Sequence, residues 1–345
     1  MKTIITGGAG FIGCNAAARE LSKGREVVVM DNLSRPGASD NLMWLRTKGL
    51  KHFEKIDLRD AERTMAAFER NKDADSVLHL AGQVAVTTSV AKPRFDFEGN
   101  ALATLNVLEA MRASDMSGPL LFSSTNKVYG GMEDVGIEMQ NGRWAYRDLP
   151  QGMSEERGLD FHSPYGCSKG AADQYVRDYQ RIYGIKTVVF RQSCIYGYRQ
   201  WGMEDQGWIA WFMIATMLGQ GITVYGDGCQ VRDVLFIEDL LDAYDAARER
   251  IDVAQGNIYN VGGGPSNILS LRDLLAFIEK RAGAPIPHKK ADWRPGDQRC
   301  YVSDIRKAQA ELGWTPRISA EQGMGLLYDW IQNNYSLFET LRWAA

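Results

Sequence analysis

Apolar residues in the first 190 positions follow two alternating periods. Short runs at Lys2–Thr6, Glu26–Met30, His52–Ile56, Asp75–Leu80, Leu120–Phe122 and Lys186–Phe190 are nearly continuous, as in strands buried on both faces. Between them, apolar positions recur at helical spacing from Phe11 to about Lys23, over Asp60–Arg70, Arg94–Ala113 and Ser163–Tyr183. Strand–helix alternation predicts an α/β fold, a doubly wound parallel sheet of the Rossmann kind, with a smaller mixed C-terminal domain. The expected boundaries are 1–190, also receiving about 234–262, for the first domain, and 191–233 with 263–345 for the second. Beyond 190 the pattern predicts helices at Gly207–Leu218, from Glu238, and at Leu269–Ala282, Ile305–Leu312 and Ala320–Asn333. Strands are expected at Ile222–Tyr225, Val234–Ile237 and Asn257–Val261. Gly130–Phe161 breaks the alternation. It is long, polar and acidic, which predicts a lid over a substrate; a solvated excursion is the alternative.

The first strand runs into Gly7-Gly-Ala-Gly10-Phe-Ile-Gly13, then a helix, then a strand ending in Asp31. Gly7 permits a tight turn, Gly10 lets backbone approach a pyrophosphate, and Gly13 lets helix pack on strand. Asp31 sits where a carboxylate accepts both ribose hydroxyls of adenosine and repels a 2′-phosphate, which favours NAD over NADP. Arg35 is the counter-signal, since a nearby guanidinium can hold that phosphate. The expected NAD site comprises Gly7, Gly10, Phe11, Ile12, Gly13, Asp31, Asn32, Arg35, Asp57, Leu58, Leu80, Ala81, Gln83, Asn100, Ser123, Tyr165 and Lys169. Asp57 reads equally well as a helix N-terminal charge, and Asn100 equally well as a plain polar helix position.

Tyr165 and Lys169 lie four residues apart at the opening of a predicted helix, hence on one face. Pro164 suits the first turn and Ser163 its cap. At about 6 Å and an effective dielectric of about 20, one positive charge favours the phenolate by roughly 3 kcal/mol. Lys169 and an oxidised nicotinamide are therefore expected to make Tyr165 a base toward a sugar hydroxyl. Ser123, Ser124 and Thr125 end a strand at its carboxyl side, where open α/β sheets hold ligands, so a hydroxyl there can meet both Tyr165 and substrate. Ser124, Thr125, Tyr165 and Lys169 form the expected catalytic set.

Composition changes this picture little. A chain of 345 residues with 45% hydrophobic and 24% charged residues is ordinary for a globular protein, and a net charge of −3 argues against nucleic acid and anionic membranes. No apolar run is long enough to span a bilayer, and a strand beginning at Lys2 leaves no room for a signal peptide. Five scattered cysteines without Cys-x-x-Cys, and four isolated histidines, predict reduced thiols, a cytoplasmic protein and no metal site. The helices Arg94–Ala113 and Ser163–Tyr183 carry apolar stripes that could pair subunits into a homodimer or homotetramer; burial within one chain is the competing account.

Thr6-Gly-Gly-Ala-Gly-Phe-Ile-Gly13, Asp31-Asn-Leu-Ser, Ser123-Ser-Thr125 and Tyr165-x-x-x-Lys169 occur in the order found in the extended short-chain dehydrogenase/reductase family, which this chain resembles over nearly its full length. The resemblance implies that Tyr is the acid/base, Lys holds ribose and lowers the phenol pKa, and the hydroxyl orients substrate. Within that family the segments Ser123–Gly130, Asp160–Tyr175 and Asp205–Trp208 are similar to nucleotide-sugar epimerases that act at C2 of CDP-hexoses. This implies a nucleotide-diphosphate sugar as partner, CDP-hexose favoured. It also implies that Arg232 and Arg294 grip the diphosphate, and that Gln83, Thr125 and Asn126 surround the sugar. Gln192, Arg199 and Gln206 belong to the mixed polar and aromatic wall expected beside it. Asn126-Lys127 stands where the family's 4,6-dehydratases carry an acid pair, so elimination of water is not expected, and the Glu of its decarboxylases is also absent. A UDP-sugar 4-epimerase shares the same set and stays open, as does a non-catalytic NAD-responsive binding protein.

Overall fold

The structure, a computed structural model, describes residues 1–294 and 297–339. In chain order its strands are β1 (Lys2–Thr6), β2 (Glu26–Asp31), β3 (His52–Lys55), β4 (Ser76–His79), β5 (Leu120–Thr125), β6 (Ile137–Gln140), β7 (Arg143–Tyr146), β8 (Thr187–Gln192), β9 (Cys194–Tyr196), β10 (Ile222–Tyr225), β11 (Val231–Phe236), β12 (Ile258–Val261), β13 (Ile268–Ser270), β14 (His288–Ala291) and β15 (Cys300–Tyr301). Seven of them form one parallel sheet in the order β12-β8-β5-β4-β1-β2-β3. The order reverses direction between β1 and β4, which places the ligand crevice at the carboxyl ends there.

Alternation along the strands supplies both faces of this sheet. Ile5, Val27, Val29, Leu121, Val188 and Phe190 point into one core, with α1 (Phe11–Ser22) and α2 (Ala38–Thr47). Ile4, Val28, Met30, Val77, Phe122 and Val189 point into the other, with α3 (Ala61–Arg70). The stretch read as one helix, Arg94–Ala113, is α5 (Pro93–Phe97), a π-turn (Glu98–Leu102) and α6 (Ala103–Ala113); the short α4 (Val86–Ala91) precedes it. α7 (Ser163–Tyr183) has the predicted bounds, and Gly184 closes it in the left-handed conformation. At its start Ser163, at φ 79°, accepts the Gly166 N–H, as a cap does.

The second layer is built round β11. Its first half pairs with β13 and β15, its second half with β9, while β10 pairs with β14. Among these, β9, β13, β14 and β15 are too short to leave a period in the sequence. α8 (Trp208–Met217) and α9 (Ile237–Glu249) complete the packing. No helix among the described residues is long and apolar enough to cross a membrane.

The region 130–161, expected as a lid or a solvated excursion, has regular structure of its own. It contains the antiparallel hairpin β6–β7, turning at Asn141 (φ 49°) and Gly142 (φ 78°). Tyr146 and Met153 are buried against Tyr129, Val231 and Tyr301. Met153 N–H bonds Val302 O at 2.8 Å, and a Cβ on Gly152 would lie 2.5 Å from that same oxygen. Its apolar residues thus share a core with the strands β11 and β15.

α1 is tied to α9 by a buried carboxylate. Glu20, 1% exposed, accepts from Arg248 at 2.7 and 2.9 Å and from Arg25 at 2.8 Å. Burial works to raise its pKa, but Arg248 and then Arg25 more than offset this and hold it at about 2. Because the folded pKa lies below the unfolded one, the contribution is complete above pH about 4.5 and is lost as pH falls toward 2. Glu20→Gln should cost about 3 kcal/mol at neutral pH and should flatten the acid limb in urea unfolding followed against pH.

Candidate functional site

The carboxyl ends of β1, β2, β3 and β4 border a cleft of about 380 Å³ lined by Gly7, Gly10–Gly13, Asp31–Asn32, Arg35, Asp57–Leu58 and Leu80–Gln83. Gly7 turns at φ 65°, and a Cβ there would meet the Ala81 backbone at 2.7 Å. A Cβ on Gly13 would lie 2.2 Å from Gly7 O, so the helix can start this close to the strand only with glycine. Gly10 caps α1 without a side chain, leaving the first turn's N–H groups facing the cleft end. Asp31 is fixed by N–H groups of Ala9 at 3.0 Å and Leu33 at 2.7 Å, while burial pushes its pKa up. Asp57 is gripped by Arg59 at 2.7 and 2.9 Å and by Asn32 at 3.1 Å; Arg59's hydrogen bonds hold its pKa at about 2. Arg35 donates to Gln206 Oε1 at 2.6 Å across the cleft, so these two expected site residues meet each other.

The catalytic candidates gather beyond β5. Tyr165 is buried, and its phenol lies beside the Thr125 hydroxyl. Lys169 donates to Ser123 O at 2.5 Å and lies 4.2 Å from the Phe122 ring centroid. Here the electrostatics differ from the sequence expectation. Burial pushes the Tyr165 phenol up to about 12; the neighbouring Thr125 hydroxyl opposes this and the charge of Asp96 adds to it. Burial also brings Lys169 down to about 7. The shared helical face is as expected, but desolvation weakens the very charge that was to acidify the phenol.

The strand pleat separates the three hydroxyls. Ser124 Oγ donates to Asp173 at 2.8 Å on the opposite face, so Thr125, not Ser124, meets Tyr165. Ser123 Oγ donates to Gln192 Oε1 at 3.1 Å, and Gln192 donates to the Tyr244 hydroxyl, which occupies this expected substrate residue inside the protein. Gln83 is likewise committed: its amide donates to Ala85 O at 2.8 Å and to Asp96 at 2.7 Å. Asn100, on the π-turn, accepts the Gln83 N–H at 3.0 Å and donates to Asp96 and Ser168, holding the backbone behind the site. Asn126 is buried next to Thr125.

Arg199 lies elsewhere. Its guanidinium stacks 4.3 Å from the Trp44 ring and 5.9 Å from Trp330, outside the cleft lining, because two aromatic faces offer it more than an open wall does. Arg232 donates to Asp297 at 2.7 Å; Arg294 lies 4.0 Å over Tyr225 and donates to Glu204 O at 3.0 Å. Both lie in the second layer. Sequence reasoning passed over Asp96, Asp173, Lys127 and Gln298. Asp173 was legible in principle, four residues after Lys169 and eight after Tyr165 on one helical face. The partners of Asp96 are scattered along the chain and leave no such signal.

Residues 4–326 match the family described as GDP-mannose 4,6 dehydratase. The chain is 44% identical over 335 residues to the CDP-paratose 2-epimerase of Salmonella typhi, covering 96% of this chain and 99% of that one. Among solved structures, UDP-glucose 4-epimerase with UDP-glucose from Thermotoga maritima superposes with a TM-score of 0.84 at 28% identity, covering 97% and 100% of the two chains. The Thermus thermophilus UDP-glucose 4-epimerase complex with NAD gives 0.80 at 32% identity, covering 96% and 99%.

The depressed Lys169 pKa has a stability consequence. The unfolded lysine titrates near 10.5 and the folded one near 7, so the burial penalty is complete below pH 7 and is relieved as pH rises from 7 to 10.5. Lys127, also depressed, adds a second such rise. In cofactor-free protein, Lys169→Met should remove part of this rise and leave the Lys127 part, measured as urea midpoints across that range.

Proposed function

Since the chain belongs to the GDP-mannose 4,6 dehydratase family, we propose that it is an NAD-dependent nucleotide-sugar epimerase that inverts C2 of CDP-paratose or a related CDP-hexose. The observation that carries the reading is Tyr165, buried beside the Thr125 hydroxyl and one helical turn from Lys169. The C2 position and the CDP group are supported by the 44% identity to CDP-paratose 2-epimerase along the whole chain.

The residues of the cleft fit NAD. The glycine turn admits no Cβ, the first turn of α1 offers bare N–H groups, and Asp31 is held with carboxylate oxygens beside them. Gly7–Gly13 would hold the pyrophosphate, Asp31 and Asn32 the adenosine ribose, and Asp57 and Leu58 the adenine. Bound there, NAD supplies a reversible hydride acceptor and a positive charge in its oxidised form.

Tyr165 holds and moves the proton. As phenolate it takes the proton from the sugar 2-hydroxyl while C2 becomes a ketone, and it returns the proton to the same oxygen after the sugar has turned its other face. The Thr125 hydroxyl beside that phenol opposes its high pKa. Lys169 anchors the end of β5 through Ser123 O, and its other N–H donors would hold the cofactor ribose. No oxidant is consumed overall, because C2 is oxidised and reduced in one turnover.

Two copies are proposed to pair through the outer face of α7, where Tyr175, Ile182 and Tyr183 are 47%, 65% and 51% exposed at helical spacing. Ile182→Glu should shift sedimentation toward monomer.

The reading is tested with a panel of CDP-, UDP- and GDP-sugars, the inverted carbon located by NMR. Inversion at C2 without solvent deuterium at that carbon is expected. Inversion at C4 of a UDP-sugar would make the chain a 4-epimerase, and deuterium at C2 would replace hydride return with enolisation. Tyr165→Phe should lower kcat by about a thousandfold while NAD content stays unchanged.

A further inference from the structure

Past Thr125 the chain makes one tight helical turn, Asn126–Tyr129. Its second residue, Lys127, has no part in the chemistry above. The Lys127 N–H bonds Thr125 Oγ1 at 3.2 Å, which fixes where the side chain begins relative to Tyr165. The ammonium donates to Gln298 Oε1 at 3.2 Å, and buried Gln298 is itself tethered to Gly130 O. Among the described residues this is its one hydrogen-bond partner, while an ammonium carries three N–H donors.

The charges facing Lys127 come from three neighbouring elements. Arg232 on β11 disfavours its proton, Asp297 ahead of β15 favours it, and the thiol of Cys194 on β9 favours it less. Burial first, then Arg232, brings Lys127 down to about 8. Asp297 is already engaged by Arg232 at 2.7 Å. Two cations therefore share a confined space with one spent carboxylate. An anion carrying two or more charges is the group that relieves this, and a forked guanidinium beside an ammonium suits a diphosphate.

We propose that Lys127 is a substrate-binding residue, receiving together with Arg232 the diphosphate of the nucleotide sugar. The inference rests on the nucleotide-sugar reading of this site and adds a linkage to it. Free Lys127 is protonated below pH about 8 and neutral above it. A bound dianion raises its pKa, so the site takes up a proton on binding. Affinity is complete below pH 8 and falls as pH rises through 8, by at most about tenfold per pH unit. The position also bears on reaction choice. An ammonium next to the active-site Thr supplies no acid for loss of water.

The test is calorimetric titration of CDP into the NAD-loaded protein between pH about 7 and about 9.5, in two buffers of different ionisation enthalpy. The wild type should lose roughly tenfold in affinity over that range and show proton uptake near pH 8. Lys127→Met should bind CDP about tenfold more weakly at pH about 7, with a flat profile and no uptake. Lys127→Arg should restore binding but stay flat, since guanidinium does not titrate there. A flat wild-type profile without buffer-dependent heat overturns the inference whether or not the variants fold, and so does CDP binding by Lys127→Met equal to the wild type. Wild type that binds neither CDP nor UDP overturns the nucleotide-sugar reading itself, whereas normal CDP binding with either of the two preceding results overturns only the role of Lys127.

Discussion

One buried ion pair holds the site together. Arg191 on β8 meets Asp173 on α7 through two hydrogen bonds of 3.0 Å, with their side chains 2% and 0% exposed. Burial disfavours the guanidinium's charge, and the bonds and charge of Asp173 more than compensate. A pair so placed adds little net stability, yet losing one partner strands a charge in a dry interior. Its value here is geometric. Asp173 also takes Ser124 from β5, and Arg191 donates to the Tyr129 hydroxyl, which donates to Asn260 on β12. Asn260 in turn holds Met153 O and Glu155 of the hairpin region. Three strands, the tyrosine-bearing helix and the outer wall are thus fixed by one polar network whose members satisfy one another.

Around that frame, burial sets the protonation states. The same desolvation pushes the Tyr165 phenol up to about 12, Lys169 down to about 7 and Lys127 down to about 8, and it keeps His79 neutral at about 3. His79 is accordingly a structural residue, bonded to Thr6 at 2.7 Å and to Thr104 at 3.0 Å. Without ligands the pocket favours neutral forms, and charged ligands change that balance. A nucleotide diphosphate would favour the ammonium of Lys127, and an oxidised nicotinamide would favour a phenolate.

Much of this was legible in the chain. Continuous apolar runs and helical stripes between them gave the parallel sheet, and α7 and the helix Ala320–Asn333 have the bounds that the pattern predicts. Gly7, Gly13 and Asp31 could be read because the cleft they form is local: a turn, a helix start and a strand end within about thirty residues. The β6–β7 hairpin was also available in Asn141-Gly142 between alternating segments, but its acidic surroundings read as a loop. The four strands β9, β13, β14 and β15 carry too few residues for any period to show.

What the sequence determined by itself was whatever rests on neighbours along the chain: strand and helix periods, the glycine turn, and the common helical face of Tyr165 and Lys169. What only the tertiary structure decided was whatever rests on depth and on distant partners. The pleat gave Ser124 to Asp173 and Thr125 to Tyr165. Aromatic rings far along the chain took Arg199, and internal bonds took Gln83 and Gln192. Burial reversed the expected acidity of Tyr165, since Coulomb's law between two residues can be written from their spacing, but the loss of water around them cannot.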